Sequence, residues 1–103
     1  MRQQFIADHG VDTDGNPAGG YSIARGINIE WQNGPLGTKR YENGAFVETL
    51  IAIAMDRIEF YQQSQFACEE NKEALSALKA ALHALENRTA NRQLRGVEGT
   101  HQV

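Results

Sequence analysis

The stretch FVETLIAIAMDRIEFYQQSQFACEENKEALSALKAALHALENRT, residues 46–89, carries two apolar stripes with a short break between them. In both stripes the side chains recur every three or four positions, which is the period of one helix face. The break, residues 64–67, has the length of a tight link between antiparallel helices. The sequence therefore predicts helix one over 45–63 and helix two over 68–95, packed as an antiparallel hairpin. The first stripe is formed by Phe46, Val47, Leu50, Ile51, Ala54, Ile58 and Tyr61, and the second by Asn71, Leu75, Leu78, Leu82, Leu85, Thr89 and Arg92.

The region upstream of the helices, GGYSIARGINIEWQNG at residues 19–34, alternates between apolar and polar side chains. A period of two is typical of a half-buried strand. We therefore expect one strand over 20–32 with its odd-numbered side chains facing inward. A hairpin loop over 33–37 and a short return strand over 38–42 follow, because Asn-Gly and proline mark a turn. Residues 20–42 thus predict a small antiparallel sheet ahead of the helical hairpin, which is an α+β fold.

The two ends of the chain lie outside these elements. Turn-forming residues cluster over 11–20, so residues 1–19 are expected to form a flexible or weakly ordered arm. Gly96 and Gly99 end helix two, which leaves a tail over 96–103. Residues 20–103 are then expected to form a single domain.

Arg25 stands in the middle of the predicted inward-facing apolar positions. A buried guanidinium needs an anion, because burying it unpaired costs several kcal/mol. Three explanations are open at this point. The side chain pairs with a carboxylate such as Glu48 or Asp56, it binds a ligand phosphate, or an edge strand leaves it in solvent.

Length, charge and cysteine content limit the class of protein. A chain of 103 residues with 41% apolar residues buries a modest core and leaves room for association to complete it. The formal charge of −3 argues against a binder of duplex nucleic acid, which needs a positive field. The single cysteine, Cys68, excludes an internal disulfide and fits a reducing compartment. No apolar run has the length of a membrane span, so the sequence predicts a cytoplasmic protein without a membrane partner.

Catalytic and metal-binding patterns are absent from the sequence. His9, His83 and His101 show no spacing typical of metal ligands. No nucleophile, base and oxyanion donor can be assembled from the motifs. The sequence therefore predicts a protein that is not an enzyme and needs no metal or cofactor.

Helix two ends in a basic stripe, Arg88, Arg92 and Arg95, and begins with acidic residues. Both features suit the helix dipole, which explains them without a ligand. Alternatively, arginines spaced in this way grip phosphate oxygens with their planar donors. They could also serve a helical-hairpin module that binds a protein or a nucleic acid.

Four segments resemble the C-terminal hairpin of a known family: NGAFVE at 43–48, FACEEN at 66–71, ENRTANRQ at 86–93 and RGVEGTH at 95–101. The family is that of the phage anti-defence nucleotide sponges, the type I anti-Thoeris proteins, which share their hairpin with the anti-CBASS sponges. The strand region is similar in kind to the β-region that precedes the hairpin in the anti-Thoeris branch.

This resemblance implies a function. It predicts a non-enzymatic binder that withholds cyclic ADP-ribose isomers, and in some members cyclic di- or trinucleotides, inside the infected bacterium. The expected assembly is a homodimer, or a hexamer built as a trimer of dimers. The family's ligand contacts are an aromatic residue late in helix one, an asparagine early in helix two, an arginine near its end, and an arginine from the β-region. The matching positions are Tyr61, Asn71, Arg88 and Arg25.

Geometry adds a requirement to this set. Asn71 and Arg88 are 17 positions apart, or about 25 Å on one helix. A single dinucleotide-sized ligand reaches both only if they come from different chains that run antiparallel. The polar ends of the helix-two stripe, Asn71 and Arg92, would then meet at the ligand, and a two-fold dimer would form two equal pockets.

Overall fold

The computed structural model describes residues 3–33 and 43–94. Three strands precede two helices, which confirms the predicted α+β order of a small antiparallel sheet followed by a helical hairpin. The elements are β1 (Ile6–Val11), β2 (Pro17–Ala24), β3 (Ile27–Glu30), α1 (Val47–Gln62) and α2 (Glu69–Leu94). The strands and the helices lie in two compact units. We call them the sheet unit, described over 3–33 and 43–46, and the hairpin unit, 47–94.

The first part of the chain is a β-hairpin and not the weakly ordered arm that we predicted for residues 1–19. Strand β1 pairs antiparallel with β2, with Ile6 opposite Ile23. The turn-forming residues lie between these strands, where a carboxylate oxygen of Asp12 accepts hydrogen bonds from the backbone N–H groups of Asp14 and Asn16, both at 2.9 Å. A carboxylate that bonds its own backbone in this way stabilises a turn. The cluster of turn residues therefore closes a hairpin.

The predicted single strand over 20–32 is also wrong, because Arg25 and Gly26 form a two-residue turn between β2 and β3. Gly26 has a φ of 77°, which glycine adopts without steric cost. Ala24 pairs with Ile27 and Ser22 with Ile29. Directly opposed residues share one face of a sheet, so the turn moves the odd-numbered residues after it to the other face.

This change of face corrects the expected burial. Tyr21 and Ile23 were expected to point inward but are exposed, whereas Ser22 and Ala24 are half-buried. Arg25 lies at the tip of the β2–β3 turn with its side chain exposed. The side chain is thus in solvent, although in a turn and not on an edge strand, so it needs no carboxylate partner within a core and stays accessible to a ligand phosphate.

Trp31 is hydrogen-bonded to β2 at the end of the sheet. Its indole N–H donates to the hydroxyl of Ser22 at 2.9 Å, and its backbone N–H donates to the carbonyl of Gly20 at 3.0 Å. Ala45 lies beside it in a parallel bridge, with hydrogen bonds to Glu30 and Gln32 on either side. A Cβ at Gly44 would lie 2.6 Å from the carbonyl of Trp31, so this close approach requires glycine. The predicted return strand and most of the predicted loop fall on 34–42, outside the described residues.

The two helices agree with their predicted ranges to within two residues at each end, which is the ordinary uncertainty of helix ends. The half-buried positions of α2 recur every three or four residues and include the predicted stripe from Asn71 to Thr89. In α1 the half-buried positions are Ile51, Ala54, Met55, Ile58 and Gln62, with Glu48 at the start, while Val47, Leu50 and Tyr61 of the predicted stripe are exposed. Helix α1 is apolar on more than one face, so its periodicity alone does not fix the packed face.

Burial is incomplete throughout the part of the chain whose side chains are described, residues 3–33 and 43–91. No side chain there is fully buried, and several large apolar side chains of the hairpin unit are exposed, such as Ile53 at 61%. Neither helix has both the length and the apolar content that a membrane span requires.

We expect Ser22→Ala to lower the free energy of unfolding of the sheet unit by about 1–2 kcal/mol, because a half-buried indole N–H loses its acceptor. Urea unfolding followed by fluorescence measures this directly, since Trp31 is the only tryptophan in the chain. Ser76→Ala, the same substitution at an exposed position of α2, should change stability by less than about 0.5 kcal/mol. Equal effects of the two substitutions would contradict the role given to the Trp31–Ser22 bond.

Candidate ligand-binding site

The loop end of the hairpin unit is organised by the side chain of Gln62. Its amide oxygen accepts from the backbone N–H of Cys68 and from Nδ2 of Asn71, both at 3.0 Å. Its amide nitrogen donates to the carbonyl oxygen of Cys68 at 3.2 Å. One side chain from the end of α1 thus fixes the start of α2. The sequence analysis did not single out Gln62, since nothing in the pattern distinguishes it from Gln63.

Asn71 is half-buried and is held at this end by two hydrogen bonds. Besides the bond to Gln62, its Nδ2 donates to the carbonyl of Phe66 at 3.3 Å. Turning the amide over would place its oxygen against that carbonyl, so the network sets its orientation. Both N–H donors of Asn71 are therefore occupied, and within the described residues its Oδ1 has no donor. Asn71 can offer a ligand an acceptor, which suits an amino or hydroxyl group and not a phosphate.

Tyr61 belongs to a cluster with Arg57 and Phe60, which we call the aromatic–guanidinium cluster. The Cζ atom of Arg57 lies 5.1 Å from the ring centroids of both aromatic residues. Its Nε–H donates to the hydroxyl of Tyr61 at 3.3 Å. The two rings are tilted by 53° with centroids 6.4 Å apart. Sequence analysis predicted Tyr61 alone, although the i, i+3, i+4 spacing of the three residues places them on one helix face.

Arg88 lies far along α2 from Asn71. Helix α2 is continuous from Glu69 to Leu94, so the distance of about 25 Å expected from the helical rise holds within one chain. The Arg88 side chain is exposed. Arg92 lies on the same helix, with its side chain outside the described part, and Arg95 lies outside the described residues altogether. The structure brings Tyr61 and Asn71 to the loop end of the hairpin unit and leaves Arg88 on the other half of α2.

Charged groups near the loop end are mostly solvated. Within residues 3–33 and 43–91, an ion pair joins Lys72 to Glu69 at 3.2 Å, and both side chains are exposed. Glu69 and Glu70 lie in the first turn of α2, where acidic residues favour the helix dipole, as predicted. In the same part of the chain, no three His, Cys, Asp or Glu side chains group as metal ligands.

Comparison with known proteins assigns these helices to a family. The family model described as "Acb2/Tad1, hairpin domain" matches residues 24–90, more than half of the chain. The chain belongs to the Acb2/Tad1 hairpin family. The match begins at the end of β2 and contains Arg25, Tyr61, Asn71 and Arg88, while Arg92 lies two positions beyond it. This confirms the family that the sequence motifs resemble.

A phage relative supports the assignment to the Acb2/Tad1 hairpin family. The chain is 45% identical over 74 residues to "Thoeris anti-defense 1" of Bacillus phage SBSphiJ7. The aligned region covers 72% of this chain and 51% of the relative. The chain therefore spans about half the length of the relative that it matches.

We expect Gln62→Ala to destabilise the hairpin unit by about 1–3 kcal/mol, because the substitution leaves polar groups of Cys68 and Asn71 without partners. Urea unfolding followed by circular dichroism of the helices measures the change. The matched control is Gln63→Ala, since the neighbouring Gln63 is exposed and makes no side-chain hydrogen bond within the described residues. If Gln63→Ala were as destabilising as Gln62→Ala, the bridging role of Gln62 would be wrong.

Proposed function

We propose that this protein is a phage anti-defence sponge that binds and withholds a cyclic nucleotide immune signal without cleaving it. The observation that carries the proposal is the match to the Acb2/Tad1 hairpin domain over 24–90, a range that includes Tyr61, Asn71 and Arg88. The similarity to a phage protein named for anti-defence against Thoeris points the same way. Such a protein acts in the cytoplasm of the infected bacterium, where the signal is made.

The proposed ligands are cyclic ADP-ribose isomers, with cyclic di- or trinucleotides as further ligands. An aromatic ring such as Tyr61 stacks on adenine. The free acceptor of Asn71 receives a hydrogen bond from an amino or hydroxyl group of the nucleoside. Arg88 and Arg92 neutralise the phosphates, and Arg25 is proposed as a further phosphate contact. In this proposal the aromatic ring stacks on the base, the amide oxygen accepts a hydrogen bond and the arginines pair with phosphate charge, and no group is assigned the role of nucleophile or general base.

A complete pocket needs two chains. Asn71 and Arg88 are too far apart on α2 for one ligand to touch both in a single chain. Two α2 helices that run antiparallel bring the start of one to the end of the other, and a two-fold axis then creates two equal pockets. We propose a homodimer, or a hexamer built as a trimer of dimers. The exposed apolar side chains of α1, such as Ile53, supply surface for this assembly.

Native mass spectrometry with cyclic ADP-ribose isomers and cyclic oligonucleotides tests the proposal, because it reports subunit number and ligand number together. We expect an even-numbered assembly that retains a cyclic nucleotide, which heat denaturation releases intact. Recovery of a cleaved product would overturn the sponge proposal in favour of an enzyme. Strongly salt-dependent binding of DNA or RNA, with no response to cyclic nucleotides, would favour a hairpin module with a basic arginine stripe.

Arg88→Ala should weaken the binding of the retained cyclic nucleotide by about 10- to 100-fold, the loss typical of a hydrogen bond to a charged group. Isothermal titration calorimetry measures the affinity, and native mass spectrometry checks that the assembly is kept. Lys79→Ala removes another exposed cation from α2 and should leave the affinity within about twofold of the wild type. Full affinity in Arg88→Ala would remove Arg88 from the site.

A further inference from the structure

We propose that Arg57 is a ligand-binding residue that contacts a phosphate of the nucleotide, while the rings of the aromatic–guanidinium cluster carry the base. The inference rests on the proposed function and adds Arg57 and Phe60 to its site. It comes from the geometry at the end of α1, where a guanidinium is held between two exposed rings.

The position of Arg57 is fixed by contacts within one helix face. Its Cζ lies 5.1 Å from the ring centroids of Phe60 and Tyr61, and its Nε–H donates to the Tyr61 hydroxyl at 3.3 Å. The cation and the two rings are therefore arranged by contacts within α1 itself. A site arranged in advance loses less side-chain freedom when a ligand binds.

The aromatic–guanidinium cluster contributes too little to the stability of the fold to explain its presence. Arg57 is exposed and forms no ion pair with a carboxylate within residues 3–33 and 43–91. Exposed cation–π contacts are weak, and ordering a long arginine side chain opposes them. The rings themselves stay accessible, with Phe60 57% and Tyr61 37% exposed. The cluster thus holds a charged group and apolar rings ready at the surface.

The remaining hydrogen-bond donors of Arg57 determine what it can bind. A guanidinium has five N–H donors, and the Tyr61 hydroxyl takes the one on Nε. The other four lie on the two Nη atoms, where they suit the paired oxygens of a phosphate. A base stacked on Phe60 or Tyr61 brings its phosphate within reach of the same guanidinium. The cluster therefore favours a ligand that has both an aromatic base and a phosphate, which describes a nucleotide.

Asn71 favours the nucleoside part of the ligand over its phosphate at this end of the hairpin unit. Its donors are occupied by Gln62 and Phe66, so it presents an acceptor and disfavours a phosphate. A phosphate near Tyr61 is therefore directed toward Arg57, and the nucleoside toward Asn71.

Titration calorimetry with cyclic ADP-ribose, its ribose–ribose-linked isomers and cyclic di-AMP tests this inference. We expect Arg57→Met to weaken the tightest of these probes by about 10- to 100-fold, and Arg57→Lys to recover part of the loss by restoring the charge. The ratio of variant to wild-type Kd should shrink as salt rises, because salt screens the contact between guanidinium and phosphate. Lys79→Met is the charge-matched control on α2 and should stay within about twofold of the wild type.

A Tyr61→Phe background separates a direct contact from support of the ring. If Arg57 contacts the phosphate, Arg57→Met still weakens binding at least about tenfold when the Tyr61 hydroxyl is absent. If the loss disappears in that background, Arg57 acts only through Tyr61 and the inference is overturned. Wild-type affinity in Arg57→Met would overturn it too, while leaving the sponge proposal intact. If the wild-type protein binds none of the probes, the proposed function fails and this inference fails with it.

Discussion

The hydrogen bonds of the Gln62 amide are the constraint on which the hairpin unit depends. They join the last turn of α1 to Cys68 and Asn71 at the start of α2, and so they set where the second helix begins. That placement brings an aromatic side chain and an asparagine amide to the same end of the unit. The contacts between the end of α1 and the start of α2 therefore position the candidate site. The apolar stripes of the two helices pack together and stabilise the unit that carries it.

Periodicity predicted the helices well and the strands poorly, for a physical reason. A helix of 26 residues repeats its period several times, whereas a strand of four to eight residues repeats its period only two to four times. The Arg25–Gly26 turn preserves the alternation in sequence while it exchanges the two faces of the sheet, so one long strand and a tight hairpin look alike. Glycine at the second turn position was the available signal. The turn residues between β1 and β2 were the local signal for their pairing, but the same residues are also typical of an unpaired arm.

The candidate site was likewise predicted from the sequence only in part. Family motifs selected Tyr61, Asn71 and Arg88, but they did not reveal that the Asn71 donors are already occupied, because that depends on the three-dimensional path of the loop. Arg57 and Phe60 could have been predicted from their helical spacing to Tyr61. Gln62 could not, since its role depends on which of two adjacent glutamines faces the second helix.

Because the N–H donors of Asn71 are occupied, the proposed site distinguishes between isomers of a cyclic nucleotide. In the proposed site, the Asn71 acceptor favours the nucleoside and the Arg57 guanidinium favours the phosphate, so the two ends of a ligand are not equivalent there. A cyclic nucleotide has no free end, so its isomers differ in where the sugar hydroxyls lie relative to the phosphates. Under this proposal, an isomer bound in the reverse orientation places a phosphate against the amide oxygen of Asn71, and the repulsion between them disfavours it. Discrimination of this kind arises from repulsion at one atom and needs no additional contact surface.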